Sequence, residues 1–216
     1  MKDNDLEIRL NKLKKEIGNT ILVAVSKTRS NEEIMKVYNF GIRDFGENYV
    51  QELIVKMDTL PKDIKWHMIG HLQTNKVKYL VKRNIFLIES VDSIRLANEI
   101  NKEAQKNNKI VNILIEINIS NEINKTGCKM DELDDLIKKV KELSNIKLLG
   151  LMAIAPNTDD KDLIRKLFRK MKYLKDKYQL YLLSMGMSND YKIAIGENTD
   201  IIRIGTKIFG KRVYNE

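Results

Sequence analysis

Short apolar runs alternate with longer amphipathic ones from one end of the chain to the other. Ile21, Leu22, Val23, Ala24 and Val25 are apolar without interruption, the pattern of a strand buried on both faces. Comparable runs predict strands over 21–27, 44–48, 65–70, 86–91, 111–119, 147–154, 181–187 and 201–204. Helical spacing of apolar positions predicts helices over 6–17, 31–40, 50–60, 75–82, 92–106, 131–143 and 161–178, several opened by an Asn, Thr or Asp able to cap them. Strands that alternate with helices pair in parallel through right-handed crossovers. The simplest closed solution is an α/β chain folded as a single (β/α)8 barrel of the TIM type, with the 6–17 helix as an N-terminal extra. An open doubly wound sheet is the runner-up, but no Gly-x-Gly-x-x-Gly follows the first strand. With 216 residues the chain suits one domain, 1–216, with tight loops.

The barrel reading gives weight to the residues at the strand C-termini, because these converge on one mouth. Lys27 ends the first strand, Gly46-Glu47-Asn48 the second, His67 to His71 the third, Ser184-Met185-Gly186-Met187-Ser188 the seventh and Arg203-Ile204-Gly205-Thr206 the eighth. A desolvated lysine has a depressed pKa and can condense with an aldehyde, while the plainer alternative is a lysine snorkelling into water. The glycines and hydroxyls after the seventh and eighth strands are the donors a phosphate cup requires; alone, Gly186 and Gly205 would merely permit turns. Arg203 is placed to meet a phosphate, a carboxylate or a ring nitrogen, or to form an ordinary ion pair with a barrel glutamate such as Glu116. An imine-forming lysine and a phosphate cup in one mouth together describe a site for pyridoxal 5′-phosphate.

Composition narrows the classes. Lys and Arg total 39 against 30 Asp and Glu, a formal charge of +9. The densest basic stretch, 161–177, carries Ile164, Leu167, Phe168 and Met171 at helical spacing, so its charges form a solvated helix face and nucleic-acid binding is not expected. No apolar run is long enough to cross a bilayer, and Met1-Lys2-Asp3-Asn4-Asp5 lacks a signal-like apolar stretch, so a cytoplasmic protein without membrane association is expected. Cys128 is the one cysteine, which excludes an internal disulfide; it is expected to be inert. His67 and His71 lack a third metal ligand, and satisfied loop histidines are expected with no metal site.

Ala24-Val25-Ser26-Lys27-Thr28, Phe45-Gly46-Glu47-Asn48-Tyr49, the Trp66–Lys76 segment, Ser184 to Asp190 and Arg203 to Gly210 together resemble the pyridoxal phosphate homeostasis protein family, whose barrel is similar to the N-terminal domain of alanine racemase. The resemblance covers nearly the whole chain. It implies that Lys27 carries the cofactor as a Schiff base and that Arg203 faces the pyridine nitrogen. It further implies that Ser184, Ser188, Gly205 and Thr206 hold the phosphate and that Asn48 lines the pocket. Thr126-Gly127 also resembles a family loop, though a simple turn explains it equally well.

Two-domain racemases of this relationship take a tyrosine base from a second domain, for which a chain ending at Glu216 has no room. A monomeric carrier that buffers pyridoxal phosphate or delivers it to dependent apoenzymes is therefore expected, without strong catalysis and with no catalytic residue assigned. The alternatives are a small single-domain amino-acid racemase using Tyr49, and a phosphate-metabolite enzyme in which Lys27 condenses with a sugar aldehyde.

Overall fold

The computed structural model describes residues 3–122 and 125–210; Met1 and Lys2, part of the start expected to carry no signal, lie outside them. The elements run α1 (Asp3–Ile17), β1 (Ile21–Val25), α2 (Asn31–Asn39), β2 (Asp44–Glu47), α3 (Val50–Thr59), β3 (Lys65–Met68), a 3-10 turn (Thr74–Lys76), α4 (Val77–Lys82), β4 (Leu87–Val91) and α5 (Ile94–Lys106). They continue with β5 (Val111–Ile117), α6 (Leu133–Lys141), β6 (Ile146–Ala153), α7 (Lys161–Lys177), β7 (Leu182–Ser184), α8 (Tyr191–Gly196), β8 (Ile201–Ile204) and α9 (Thr206–Phe209). Each strand pairs in parallel with the next and β8 returns to β1, closing the expected barrel.

Alternation along the strands sorts side chains into two shells. Leu22, Ala24, Phe45, Trp66, Ile88, Ile113, Leu151, Leu183 and Ile202 belong to a large cluster that includes the buried faces of the helices. Val23, Leu87, Leu114, Met152 and Ile201 form a separate, small cluster inside the barrel. Two residues further along the same strand faces stand Glu89, Glu116, Ser184 and Arg203, so the interior changes from apolar to polar in one step toward the mouth.

The helices end where their sequences say they should. Ser30 caps α2 in a reciprocal box with Glu33, Ser93 caps α5, and Asp160 caps α7 by accepting from the N–H groups of Asp162 and Leu163. On α7, Ile164, Phe168, Met171 and Leu174 are buried, which leaves its basic residues on the outer face. Helices α8 and α9 have only 6 and 4 residues, too few for an apolar period to register in the sequence. Beside them α1 completes the wall: Leu6, Leu10, Leu13 and Ile17 are buried, Tyr191 hydrogen-bonds Glu16, and Lys14 donates to the carbonyl of Phe40 at 3.2 Å.

Most strands stop one to three residues short of their predicted C-terminal ends, because the terminal residues leave the ladder to form the mouth. His67 differs from expectation. It lies within β3 rather than in a loop, and its ring is buried in the barrel.

At Gly150 an added Cβ would stand 1.8 Å from the carbonyl oxygen of Leu182, so the β6 and β7 backbones approach where only glycine fits. Gly150→Ala is expected to destabilise the fold by about 3 kcal/mol, the upper end of what overpacking costs, measured by urea denaturation. A loss within about 0.5 kcal/mol would show that the strands part without strain.

Candidate functional site

Arg203 enters the barrel from β8 and is 3% exposed. Its Nη1 donates to the hydroxyl of Ser184 at 2.5 Å and its Nη2 to the carbonyl of Ala153 at 2.9 Å. Ser184 in turn donates to Glu89 at 2.5 Å, and Glu89 also lies 3.8 Å from Nη1 of Arg203. The other oxygen of Glu89 meets Nδ1 of His67 at 2.6 Å, and Nε2 of His67 meets Asp44 at 3.2 Å. One polar chain thus crosses the interior through β8, β7, β4, β3 and β2.

The charges follow from that geometry. Burial alone would lower the pKa of His67, but carboxylates at both ring nitrogens outweigh it and raise the pKa, which favours the charged ring. Burial alone would raise that of Glu89, but the hydrogen bond and charge of His67, with help from Arg203 and Ser184, hold it below the usual carboxylate range. Glu116 has no such partner: burial raises its pKa, only partly offset by the hydroxyl of Thr126 at 2.7 Å.

Above this floor lies a cleft of about 580 Å³. Lys27, Ser188, Arg203, Gly205 and Thr206 all line it, so five of the seven residues expected in the site share one cavity. Lys27 is half-buried, two residues beyond the end of β1. Gly186 has φ +96°, and a Cβ there would meet that of Ala194 at 2.6 Å; its turn leads into Met187, whose N–H donates to Asp190 at 2.5 Å, shaping the loop that carries Ser188. Burial raises the pKa of Asp190, with the Met187 N–H and Arg203 working against it.

Two expected residues stand elsewhere. Ser184 is fully buried beneath the cleft, its hydroxyl engaged by Arg203 and Glu89. Asn48 is half-buried at the end of β2 outside the cleft lining, with its side-chain oxygen buried and unpartnered. Arg203 has its ion pair with Glu89, where Glu116 was the partner considered. Sequence reasoning missed the loop from Ala155 to Asp159 and Lys125, which complete the cleft wall, and it missed Glu89. A signal for Glu89 existed: it is the one charge in an otherwise buried run, on the parity of Leu87.

His71 is exposed, 3.7 Å from Asp92. Cys128 is buried and its thiol is pushed up to about 12 by burial and nearby carboxylates, consistent with an inert residue. Tyr49 is 58% exposed at the start of α3 and does not line the cleft.

The family described as the N-terminal domain of alanine racemase matches residues 3–213. Over 200 residues the chain is 45% identical to the pyridoxal phosphate homeostasis protein of Aquifex aeolicus, covering 89% of this chain and 87% of that one. It is 39% identical over 191 residues to the protein of that name from Helicobacter pylori strain J99, covering 87% and 86%. Among solved structures, PipY of Synechococcus elongatus PCC7942 superimposes with TM-score 0.90 without PLP and 0.87 with PLP bound, at 32% and 31% identity, covering 95% of this chain and 100% of PipY in both. Alanine racemase of Clostridium difficile 630 shares the fold, with TM-score 0.81 and 16% identity over 98% of this chain and 58% of the racemase. A closed parallel barrel of this kind defines the class, the alanine racemase N-terminal fold. Within that class the chain belongs to the pyridoxal phosphate homeostasis protein family.

The protonation of His67 is testable through stability. A raised folded-state pKa stabilises fully below the ordinary histidine value and is lost as pH rises through the folded value; the lowered pKa of Glu89 contributes above the ordinary carboxylate value and is lost as pH falls. The stability difference between the native chain and His67→Gln is therefore expected to be largest between about pH 5 and 6.5 and to shrink as pH rises further. Urea denaturation across that range measures it, and a difference that grows with alkaline pH would assign a neutral ring.

Proposed function

We propose that this protein binds pyridoxal 5′-phosphate through a Schiff base at Lys27 and serves to hold and release it in pyridoxal phosphate homeostasis, without strong catalysis. The observation that carries this reading is the sharing of one cleft by Lys27 and the Ser188, Gly205 and Thr206 group, an amine at one wall and phosphate donors at another. The names of the relatives and the PLP bound in PipY support it. The residues fit the group: the cleft matches the volume of a small-molecule site, and an amine, two hydroxyls and the Gly205 backbone line it together.

When bound, pyridoxal phosphate supplies an aldehyde for amines and a ring that withdraws electrons best with its nitrogen protonated. Arg203 opposes that protonation, because a guanidinium held by Glu89, Ser184 and Ala153 is a fixed positive charge at the cleft floor. Asp190 steadies the loop that offers Ser188, and the hydroxyl of Thr206 donates to an anion at the mouth of β8.

The racemase alternative needs a second acid–base group opposite Lys27, and Tyr49, the candidate, lies outside the cleft. That favours a carrier, which acts in the cytoplasm and passes its ligand to dependent apoenzymes. Among the described residues no helix is long and apolar enough to cross a membrane.

Borohydride reduction of the protein loaded with pyridoxal 5′-phosphate, followed by peptide mass mapping, is expected to place the pyridoxyl group on Lys27, and Lys27→Ala should abolish the visible absorbance while leaving the barrel folded. Label found mainly on Lys76 or Lys207 would overturn the assignment. Thr206→Ala removes a charge-assisted donor and should weaken binding of pyridoxal 5′-phosphate by roughly 10- to 100-fold while leaving pyridoxal nearly unaffected. Equal loss for both ligands would remove Thr206 from the phosphate cup.

A further inference from the structure

Lys56, on α3, is buried, and all three of its protons have acceptors. Its Nζ donates to Glu47 at 2.7 Å, to Glu52 at 2.6 Å and to the backbone carbonyl of Ser26 at 2.8 Å. The hydroxyl of Ser26 donates to the same oxygen of Glu47 at 2.6 Å, and the N–H of Thr28 donates to the same oxygen of Glu52 at 2.6 Å. Ser26 and Thr28 are the two neighbours of Lys27. Three hydrogen bonds, two to α3 and one to the end of β2, therefore grip the chain immediately before and after it.

The grip opposes a local resistance. Thr28 has φ +64°, a left-handed conformation that a β-branched residue adopts only when its surroundings impose it. Ser26 is buried against Glu47 and Lys56 while its neighbour Lys27 lines the cleft, so what fixes Ser26 and Thr28 fixes the backbone from which Lys27 extends. The buried Lys56–Glu47 pair serves neither the cleft lining nor the chain of charges under Arg203.

We propose that Lys56, acting through Glu47 and Glu52, is the positioning residue for Lys27, holding the 26–28 turn so that the Lys27 amine meets an incoming aldehyde in one orientation. This rests on the Schiff-base reading of Lys27. Lys56→Met and Glu52→Ala should each slow attachment of pyridoxal 5′-phosphate to Lys27 by at least tenfold, followed by absorbance and by borohydride trapping. Pyridoxine 5′-phosphate has no aldehyde and reports the phosphate cup alone; its affinity should stay within twofold in both variants. Glu52→Gln keeps an oxygen to accept from Thr28 and should restore attachment to within about threefold of the native rate.

Glu52 is partly exposed, so Glu52→Ala decides the question if Lys56→Met fails to fold. Native attachment rates in a folded Glu52→Ala protein, or parallel loss of both ligands, would overturn the positioning role. Label absent from Lys27 in the native protein would overturn the Schiff-base reading itself, and this inference with it.

Discussion

The barrel depends on a buried chain of charge from Asp44 through His67, Glu89 and Ser184 to Arg203. Removing an arginine, a histidine and a glutamate from water costs several kcal/mol per ion, and the cost is offset only when every donor finds its acceptor at hydrogen-bond distance. Five strands must stand in the observed register for that to happen. The inner apolar cluster is small and non-directional, whereas the polar layer above it specifies a single arrangement. The same layer determines the chemistry of the mouth, because Arg203 reaches the cleft with both terminal nitrogens already bonded.

The division of the mouth follows from this. The cleft opens over β1, β8 and the loops after β5, β6 and β7. The ends of β1 and β2 are tied outward to α3 through Ser26, Glu47 and Lys56. The rim over β1, β8 and these loops is thus open and lined with donors, and the β1–β2 edge beside it is tied by internal ion pairs. The fold is shared with alanine racemase, and on the proposed reading this open part of the mouth receives the phosphate and the aldehyde.

Much of the architecture was legible because parallel barrel strands are buried on both faces and the helices between them on one. Ile21–Val25 and Lys161–Lys177 carry those two signatures plainly. Short elements escaped: α8 and α9 complete less than two turns each. Lys27, Arg203, Gly205 and Thr206 could be grouped because strand ends converge, a consequence of topology alone. Ser184, expected in the phosphate cup, is the last residue of β7 and lies buried below the cleft; only the exact end of that strand separates a residue facing the interior from one in the loop above. His67 was read as a loop residue for a related reason: its partners, Asp44 and Glu89, lie on neighbouring strands and no local spacing announces them.

The floor and the walls of the cleft have different mechanical characters. Arg203 is locked before any ligand arrives, so ligand entry requires no rearrangement there and the ordering cost of binding is already met by folding. The walls are surface loops, 155–159 and 187–190, joined to the barrel by few bonds. Ser188, placed in the phosphate cup on the proposed reading, belongs to the second of these loops, whereas Arg203 belongs to the floor. On the proposed reading, changes in those loops bear on the hold on the phosphate, and changes in the floor bear on the environment of the ring.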